Sequence, residues 1–320
     1  MTRTLRCMGS VLIMAVAGIT TAHAQYPTKT VRLIVPFAPG SGTDTVARFV
    51  QPQLAAALGQ QLVIDNRPGA AGNLGAEIAA RTPPDGYTVL MGNISHSISM
   101  TLYPKLGFDI ARDFAPVTSL AHGSFTLAAH PSLPAKTVKE LIAFAKKRPG
   151  EINVATGGAA LRLAAKMLDR MAGIQTTEVN YKSTPQTVTA VISGETSLGF
   201  PATSAAAPHA RAGKLRALAV TTPKRASMMP EVPTLSEAGV PGYDVTTWYG
   251  LLVPTGTPGE IIARLNGATV TAMAHPAVKE RFATTDLDPN TSTPEQFGAY
   301  IRGEVTKWAK VIKESGIRPD

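Results

Sequence analysis

The segment Pro36-Phe37-Ala38-Pro39-Gly40-Ser41-Gly42-Thr43-Asp44 concentrates the means of holding a small anion. It follows the β-rich run Val31-Arg32-Leu33-Ile34-Val35. It precedes Val46, Phe49, Val50, Leu54 and Leu58, whose three-to-four spacing predicts a helix from Thr43 to Gly59. The loop therefore delivers its backbone to a helix start. The first helical N–H groups have no internal partner there, and with the helix dipole they favour an anion by about 0.3–1 kcal/mol, or ~2 when partly buried. Gly40 and Gly42 let the backbone approach a ligand closely. Two more loops have the same placement. Arg67-Pro68-Gly69-Ala70-Ala71-Gly72-Asn73 follows the strand Leu62–Ile64, and the turn Gly92-Asn93-Ile94-Ser95-His96 follows Tyr87–Met91. In a parallel sheet all three share the carboxyl edge, where ligands of such sheets bind.

Other chemistries fit less well. Gly40-Ser41-Gly42 after a strand, with Asp65 ending the next one, imitates a dinucleotide fingerprint, but Thr45 stands where the third glycine belongs. Pro36 and Pro39 would also stiffen that turn. Ser41 is flanked by glycines without forming a Gly-x-Ser-x-Gly elbow. His96, His122, His130, His209 and His275 are scattered with no HxxxH pair, so neither a metal nor a cofactor is expected. Several side chains keep two readings. Asp44 is either a ligand acceptor or an acid complementing the first helical turn. Arg67 is either a carboxylate partner or a turn residue. Tyr181 and Trp248 either line a cleft or pack as buried rings.

The elements that carry these residues alternate. Strands at 31–35, 62–64 and 87–91, with helices between them, make a βαβαβ unit. Pro52 should kink the first helix. The middle repeats the theme. Strands are expected at 124–129, 153–155, 177–181, 197–200 and 215–220, with helices at 137–148, 157–171 and 185–192; Thr137 and Glu140 form a capping box. The C-terminal part is mainly helical. Thr257-Pro258-Gly259-Glu260 and Thr293-Pro294-Glu295-Gln296 open helices, and Phe297, Ile301, Val305, Trp308 and Ile312 form a packing stripe. This is an α/β chain with two domains, each a mixed or parallel sheet flanked by helices. The expected division is 25–123 plus 250–320 for the domain carrying the three loops and 124–249 for the second, with crossovers near 122–125 and 248–251.

The N-terminus reads as a leader: Arg3 and Arg6, then the apolar Val11–Ile19, then Ala22-His23-Ala24, with cleavage expected after Ala24. Its apolar stretch of roughly 10 residues is too short to span a bilayer. The one cysteine, Cys7, lies inside it, so the mature chain is expected to contain no disulfide. The remaining 296 residues (320 less 24) suffice for two cores. The composition is globular, with 44% hydrophobic and 17% charged residues. Removing two arginines from 31 basic residues leaves 29 against 22 acidic, a charge of +7. The basic residues are scattered and aromatics are few, which argues against nucleic acid as a partner.

The chain is similar to the Bug family, the extracytoplasmic solute receptors of tripartite tricarboxylate transporters. The matching motifs are Arg32 to Asp44, Asn66 to Gly75, Asp85-Gly86-Tyr87-Thr88 to Asn93, Gly250 to Pro258 and Leu265-Asn266. The resemblance implies a Venus-flytrap protein of the periplasm, not an enzyme, whose two domains close over a small carboxylate and present it to membrane transporter subunits. It implies ligand contacts at Phe37, Ala38, Gly40, Ser41, Gly42, Asp44, Asn93, Ser95 and His96. The second domain departs from the pattern. Ala155-Thr156-Gly157-Gly158-Ala159 is shorter than the usual turn, Asn180-Tyr181-Lys182-Ser183 replaces Pro-Tyr-Lys-Gly, and Ala190 and Gly199 stand in place of aspartates. Contacts from Thr156, Gly157, Gly158, Ala159, Tyr181 and Ser183 are expected there. The ligand is expected to be less polar at that end or held through different groups. A monomer is expected, and a ligand sensor that reports to a membrane partner is an alternative with the same shape.

Overall fold

The computed structural model describes residues 26–181 and 184–317. The leader, its cleavage point, Lys182 and Ser183 lie outside these residues. The first part of the chain runs β1 (Val31–Val35), α1 (Gly42–Leu58), β2 (Leu62–Asn66), α2 (Asn73–Ala80), β3 (Thr88–Asn93), α3 (Ile94–Leu102) and β4 (Phe114–Ser124). The middle runs β5 (Thr126–Ala129), α4 (Val138–Lys147), β6 (Asn153–Thr156), α5 (Ala159–Ala172), β7 (Thr177–Asn180), α6 (Thr184–Ser193), β8 (Leu198–Gly199), α7 (Thr203–Arg211) and β9 (Arg216–Val220). The chain then returns through β10 (Thr246–Pro254), α8 (Gly259–Ala274), α9 (Pro276–Ala283), β11 (Asp288–Pro289) and α10 (Pro294–Ser315).

Two sheets result. One has the order β11-β4-β10-β3-β1-β2, the other β7-β6-β8-β5-β9. β1 pairs in parallel with both β2 and β3, so the loops after these three strands emerge at one edge. β10 runs antiparallel between β3 and β4, which makes the sheet mixed. In the second sheet β6 is parallel to β7 and β8, while β5 is antiparallel to β8 and β9.

Strand alternation assigns the faces. Val31, Leu33 and Val35 point to a core shared with Val46, Val50 and Leu54 of α1, Leu265 of α8 and Phe282 of α9. Ile34 points the other way, into a core with Ile94 and Ile98 of α3 and Phe297, Ile301 and Trp308 of α10. That second core continues through Leu161 and Leu168 of α5 to Leu127 of β5. The two sheets thus share one apolar layer on this side, and the Tyr243 hydroxyl, donating to the Ala164 carbonyl at 2.8 Å, ties the linker before β10 to α5. The stripe expected along the last helix is this packing face.

Three local expectations change. The turn at 92–96 is the start of a helix: the Asn93 side chain accepts the Ser95 amide at 3.0 Å and the Asn93 amide donates to His96 Nδ1 at 3.1 Å, a capping box built from histidine. α1 continues through Pro52 as one 17-residue element. The second crossover comes at Val245–Thr246 instead of 248–251, because Thr246, Thr247 and Trp248 already pair with Ser124, Gly123 and His122 of β4.

Candidate functional site

The loop from Pro36 to Ser41 is shaped by an internal anion. Ser41 caps α1, its hydroxyl accepting the Asp44 amide at 3.2 Å. The Asp44 carboxylate turns back into the loop. Its Oδ2 accepts the Gly40 amide at 2.9 Å and Arg48 Nε at 2.7 Å, and its Oδ1 accepts Asn66 Nδ2 at 2.9 Å. Burial alone would raise the carboxyl pKa; the bonds from Arg48, Gly40 and Asn66 outweigh it and hold the group below the usual carboxylate range. The Ser41 amide donates to the Ala38 carbonyl at 3.1 Å. The amides of Gly42 and Thr43 have no such internal partner among the described residues. Ala38, Gly40 and Gly42 are exposed and Phe37 is half-buried.

The other two loops lock onto this one. Asn66 Nδ2, at the end of β2, also donates to the Phe37 carbonyl at 3.0 Å. Asn93 Nδ2, at the end of β3, donates to Thr43 Oγ1 at 3.0 Å. His96 is fully buried, its ring edge-on to Phe37 and to Phe108 at 6.3 and 6.2 Å between centroids. Burial pushes its pKa down to about 4, so the imidazole is neutral, and the bond from the Asn93 amide makes Nδ1 the acceptor. A β-carbon on residue 72 would fall 2.8 Å from the Phe37 ring, which is why that position, at φ +92°, is glycine. Ser95, in the same turn, is half-buried. Three loops expected at one edge are therefore one hydrogen-bonded unit. Asp44, Asn93 and His96 hold it from within, while Phe37, Ala38, Gly40, Ser41, Gly42 and Ser95 form its outer surface.

The second sheet offers a comparable edge after β6 and β7. Gly158 precedes α5 at φ +94°, exposed, with Gly157 and Ala159 half-buried beside it. Thr156 is fully buried; its hydroxyl donates to Glu178 at 3.0 Å, and Glu178 also accepts Arg162 Nε at 2.7 Å. The Tyr181 amide donates to the Thr156 carbonyl at 2.7 Å, but its ring packs with Ala128, Ala155 and Val191. Burial and the nearby Glu195 push its hydroxyl above the usual phenol range. Glu195 sits at the opposite end of β6, beside Asn153, so the Tyr181 ring points away from the loop edge. α5 packs on α3.

The profile of the tripartite tricarboxylate transporter family receptor matches residues 46–317. The chain belongs to that family. It is 32% identical to the protein BugT of Bordetella pertussis over 99% of both chains. Among solved structures it is similar to MatC of Rhodopseudomonas palustris with bound malate, at 32% identity and a TM-score of 0.76, covering 90% of this chain and 100% of that one. It is similar also to an R. palustris protein solved with adipate, at 34% identity and a TM-score of 0.79, covering 92% and 100%. The Bug fold, two helix-flanked sheets of a periplasmic binding protein, is thus the fold of this receptor.

Three side chains at this candidate site had no role assigned from sequence. Those of Thr43 and Asn66 act through their partners on other loops. Tyr249 lies on β10, opposite Asn93, with its hydroxyl against Gly42. Trp248, beside it, is fully buried against Phe297 and Tyr300, which settles its reading as packing. Arg67 is exposed and pairs with Asp65 at 2.9 Å, a turn residue. A separate cavity of about 460 Å³ lies at the crossovers, lined by His122, Ser124, Asp244, Asp286, Asp288 and Tyr300. None of the expected ligand residues lines it. Among the described residues no group of three His, Cys, Asp or Glu could hold a metal, and no helix is long and apolar enough to cross a membrane.

Proposed function

We propose that this receptor captures a small carboxylate in the periplasm and presents it to the membrane subunits of a tripartite transporter. The observation that carries the reading is the start of α1: a loop fixed from within by Asp44, whose Gly42 and Thr43 amides have no internal acceptor among the described residues. Preorganised amides at a helix N-terminus bind a carboxylate without reorganising. The malate and adipate held by the two R. palustris relatives support this ligand class. In this reading the carboxylate contacts Phe37, Ala38, Gly40, Ser41 and Gly42, with Ser95 beside them. Asp44, Asn93 and His96 act from behind. On the second sheet the proposed contacts come from Gly157, Gly158 and Ala159, with Thr156 buried beneath them, the Tyr181 backbone beside them and Ser183 as a further proposed contact. The domains divide near 25–123 with 250–320 and 124–249, with the return strand from Thr246 counted with the first sheet, and closure occurs about the segments joining the sheets at Ser124–Phe125 and Val245–Thr246.

The protein acts by binding and release, with no reaction at the site, as a monomer freed of its leader after Ala24. A melting screen of the mature protein against mono-, di- and tricarboxylates tests the reading. An acid at roughly 100 times its Kd should add about 2.7 kcal/mol of stability. A shift with sugars or dinucleotides and none with any acid would refute it.

A further inference from the structure

We infer that the two domains turn about a two-stranded ribbon, Gly123–Ser124 against Thr246–Thr247, so that the cavity behind the ribbon widens as the ligand cleft in front of it closes. This rests on the reading of the protein as a receptor that closes over its ligand, and it specifies how the closure works. β3 reaches along β10 only as far as Tyr249, which pairs with Asn93, and β11 reaches along β4 only to His122, which pairs with Asp288. Beyond those residues Gly123 pairs with Thr247 and Ser124 with Thr246, with no third strand beside them among the described residues. Two-stranded ribbons twist more than wider sheets, so the bending concentrates there.

The far end of the ribbon is clamped to the second sheet. Thr221, fully buried, ties the two crossovers together. Its hydroxyl accepts the Phe125 amide at 3.0 Å and donates to the Val245 carbonyl at 2.7 Å. Its amide donates to the Phe125 carbonyl at 3.0 Å, and its carbonyl accepts the Val245 amide at 2.9 Å. The buried hydroxyl of Thr203, at the start of α7, lies 2.6 Å from that of Ser124 and 3.0 Å from that of Thr126. Phe125 and Val245 therefore move with the second sheet, and the turn falls between them and the Tyr249–Asn93 and His122–Asp288 pairs.

Strand order decides the sense of the motion. In the first sheet β3, β1 and β2 lie on one side of the crossing pair β4 and β10, and β11 lies on the other. In the second, β8, β6 and β7 lie on one side of β5, and β9 lies on the other. The cavity of about 460 Å³ is lined by Asp286, Asp288 and Asn290 around β11 and by Thr222, Lys224 and Ser227 after β9, so the two outer sides meet there. The two inner sides, which carry the proposed ligand contacts, face each other on the opposite flank of the ribbon. A rigid rotation that brings one flank together separates the other.

Spin-label distances in the mature protein test this, and the single cysteine of the chain, Cys7, lies in the leader, so introduced thiols are labelled cleanly. One pair of labels, on Leu74→Cys and Asn180→Cys, spans the front; a second, on Ser227→Cys and Asn290→Cys, spans the cavity. All four positions are exposed. With saturating malate or adipate the front distance is expected to shorten and the rear distance to lengthen. A rear distance that stays or shortens while the front closes overturns the inference and leaves carboxylate capture intact. An acid that binds without shortening the front distance overturns closure itself, and the inference with it. If neither acid binds, the carboxylate reading loses its support and wedges decide the pivot without a ligand. Ser227→Trp and Asn290→Trp, placed singly in the front-labelled protein, thicken opposite walls of the cavity. A front distance shortened by either supports the pivot; one left unmoved or lengthened by both refutes it.

Discussion

Gly42 and Tyr249 meet so closely that a β-carbon on residue 42 would sit 2.7 Å from the Tyr249 hydroxyl oxygen. The contact joins the first turn of α1 to β10. Burial pushes the tyrosine pKa up to about 12, so its hydroxyl stays protonated beside the candidate site. Gly42→Ala should therefore displace either the ring or the helix start and weaken carboxylate binding by about tenfold, roughly 1.4 kcal/mol. Stability should change by no more than about 1 kcal/mol, because alanine favours a helix over glycine. Adding Tyr249→Phe removes the atom in conflict, leaving the ring carbon 3.7 Å away, and should restore binding. Titration calorimetry with malate on the single and double variants measures both effects.

Asp44 supplies the loop's internal anion, so Asp44→Asn should loosen the loop. Its lost charge-assisted bonds predict a destabilisation of about 1–3 kcal/mol at pH 7, read by urea unfolding. The sign with pH follows from a native pKa below the unfolded value of 3.8. The carboxylate stabilises the fold above that value, and its contribution disappears as pH falls through the native pKa. The gap between wild type and variant should therefore be full at pH 6 and shrink only below about pH 4.

His96 acts in the same sense, at higher pH. Its native pKa of about 4 lies below the unfolded 6.5, so acid protonates the unfolded chain first and stability falls as pH drops below 6.5. Between pH 7 and pH 5 this group alone should cost about 2 kcal/mol. His96→Gln keeps a side chain able to accept from the Asn93 amide but cannot titrate. The pH dependence of its unfolding free energy should be flatter than wild type by about that amount. An unchanged slope would mean that His96 is protonated or solvated in the native protein.

Gly75 lets the second loop approach the first. A β-carbon there would fall 2.8 Å from Pro36 Cα and 2.9 Å from the Arg67 carbonyl, both backbone atoms that cannot swing aside. Gly75→Ala should destabilise the protein by about 1–3 kcal/mol through overpacking and should weaken ligand binding as well. Thermal unfolding together with calorimetry separates this variant from Gly42→Ala, where binding falls while stability holds.

Much of this was legible in residue order. The run Val31–Val35 and the helical spacing from Val46 to Leu58 are local signals, and they locate the first loop. The start of α3 was harder to read, because Ile94-Ser95-His96-Ser97 has weak helical preference and its capping box depends on a histidine. β10 was missed for a different reason. Its residues pair with strands more than a hundred positions away, and Gly250 within it packs against Phe297, so neither period nor composition announces a strand. The same non-locality hid Tyr249. Asp44 illustrates the limit most clearly: its sequence position at the first turn of a helix is compatible with facing a ligand or facing inward. The distances to Gly40, Arg48 and Asn66 place it inward.

The central claim is that the amides at the start of α1 hold a carboxylate. It is tested most directly by amide-resolved NMR of the mature protein titrated with malate and adipate. The account predicts saturable shifts concentrated on the Gly42 and Thr43 amides, with smaller changes at Ala38 and Ser95, for at least one of the two acids. Saturable binding that leaves the Gly42 and Thr43 amides unmoved, with the shifts gathered around His122 and Tyr300 at the crossover cavity, would contradict it.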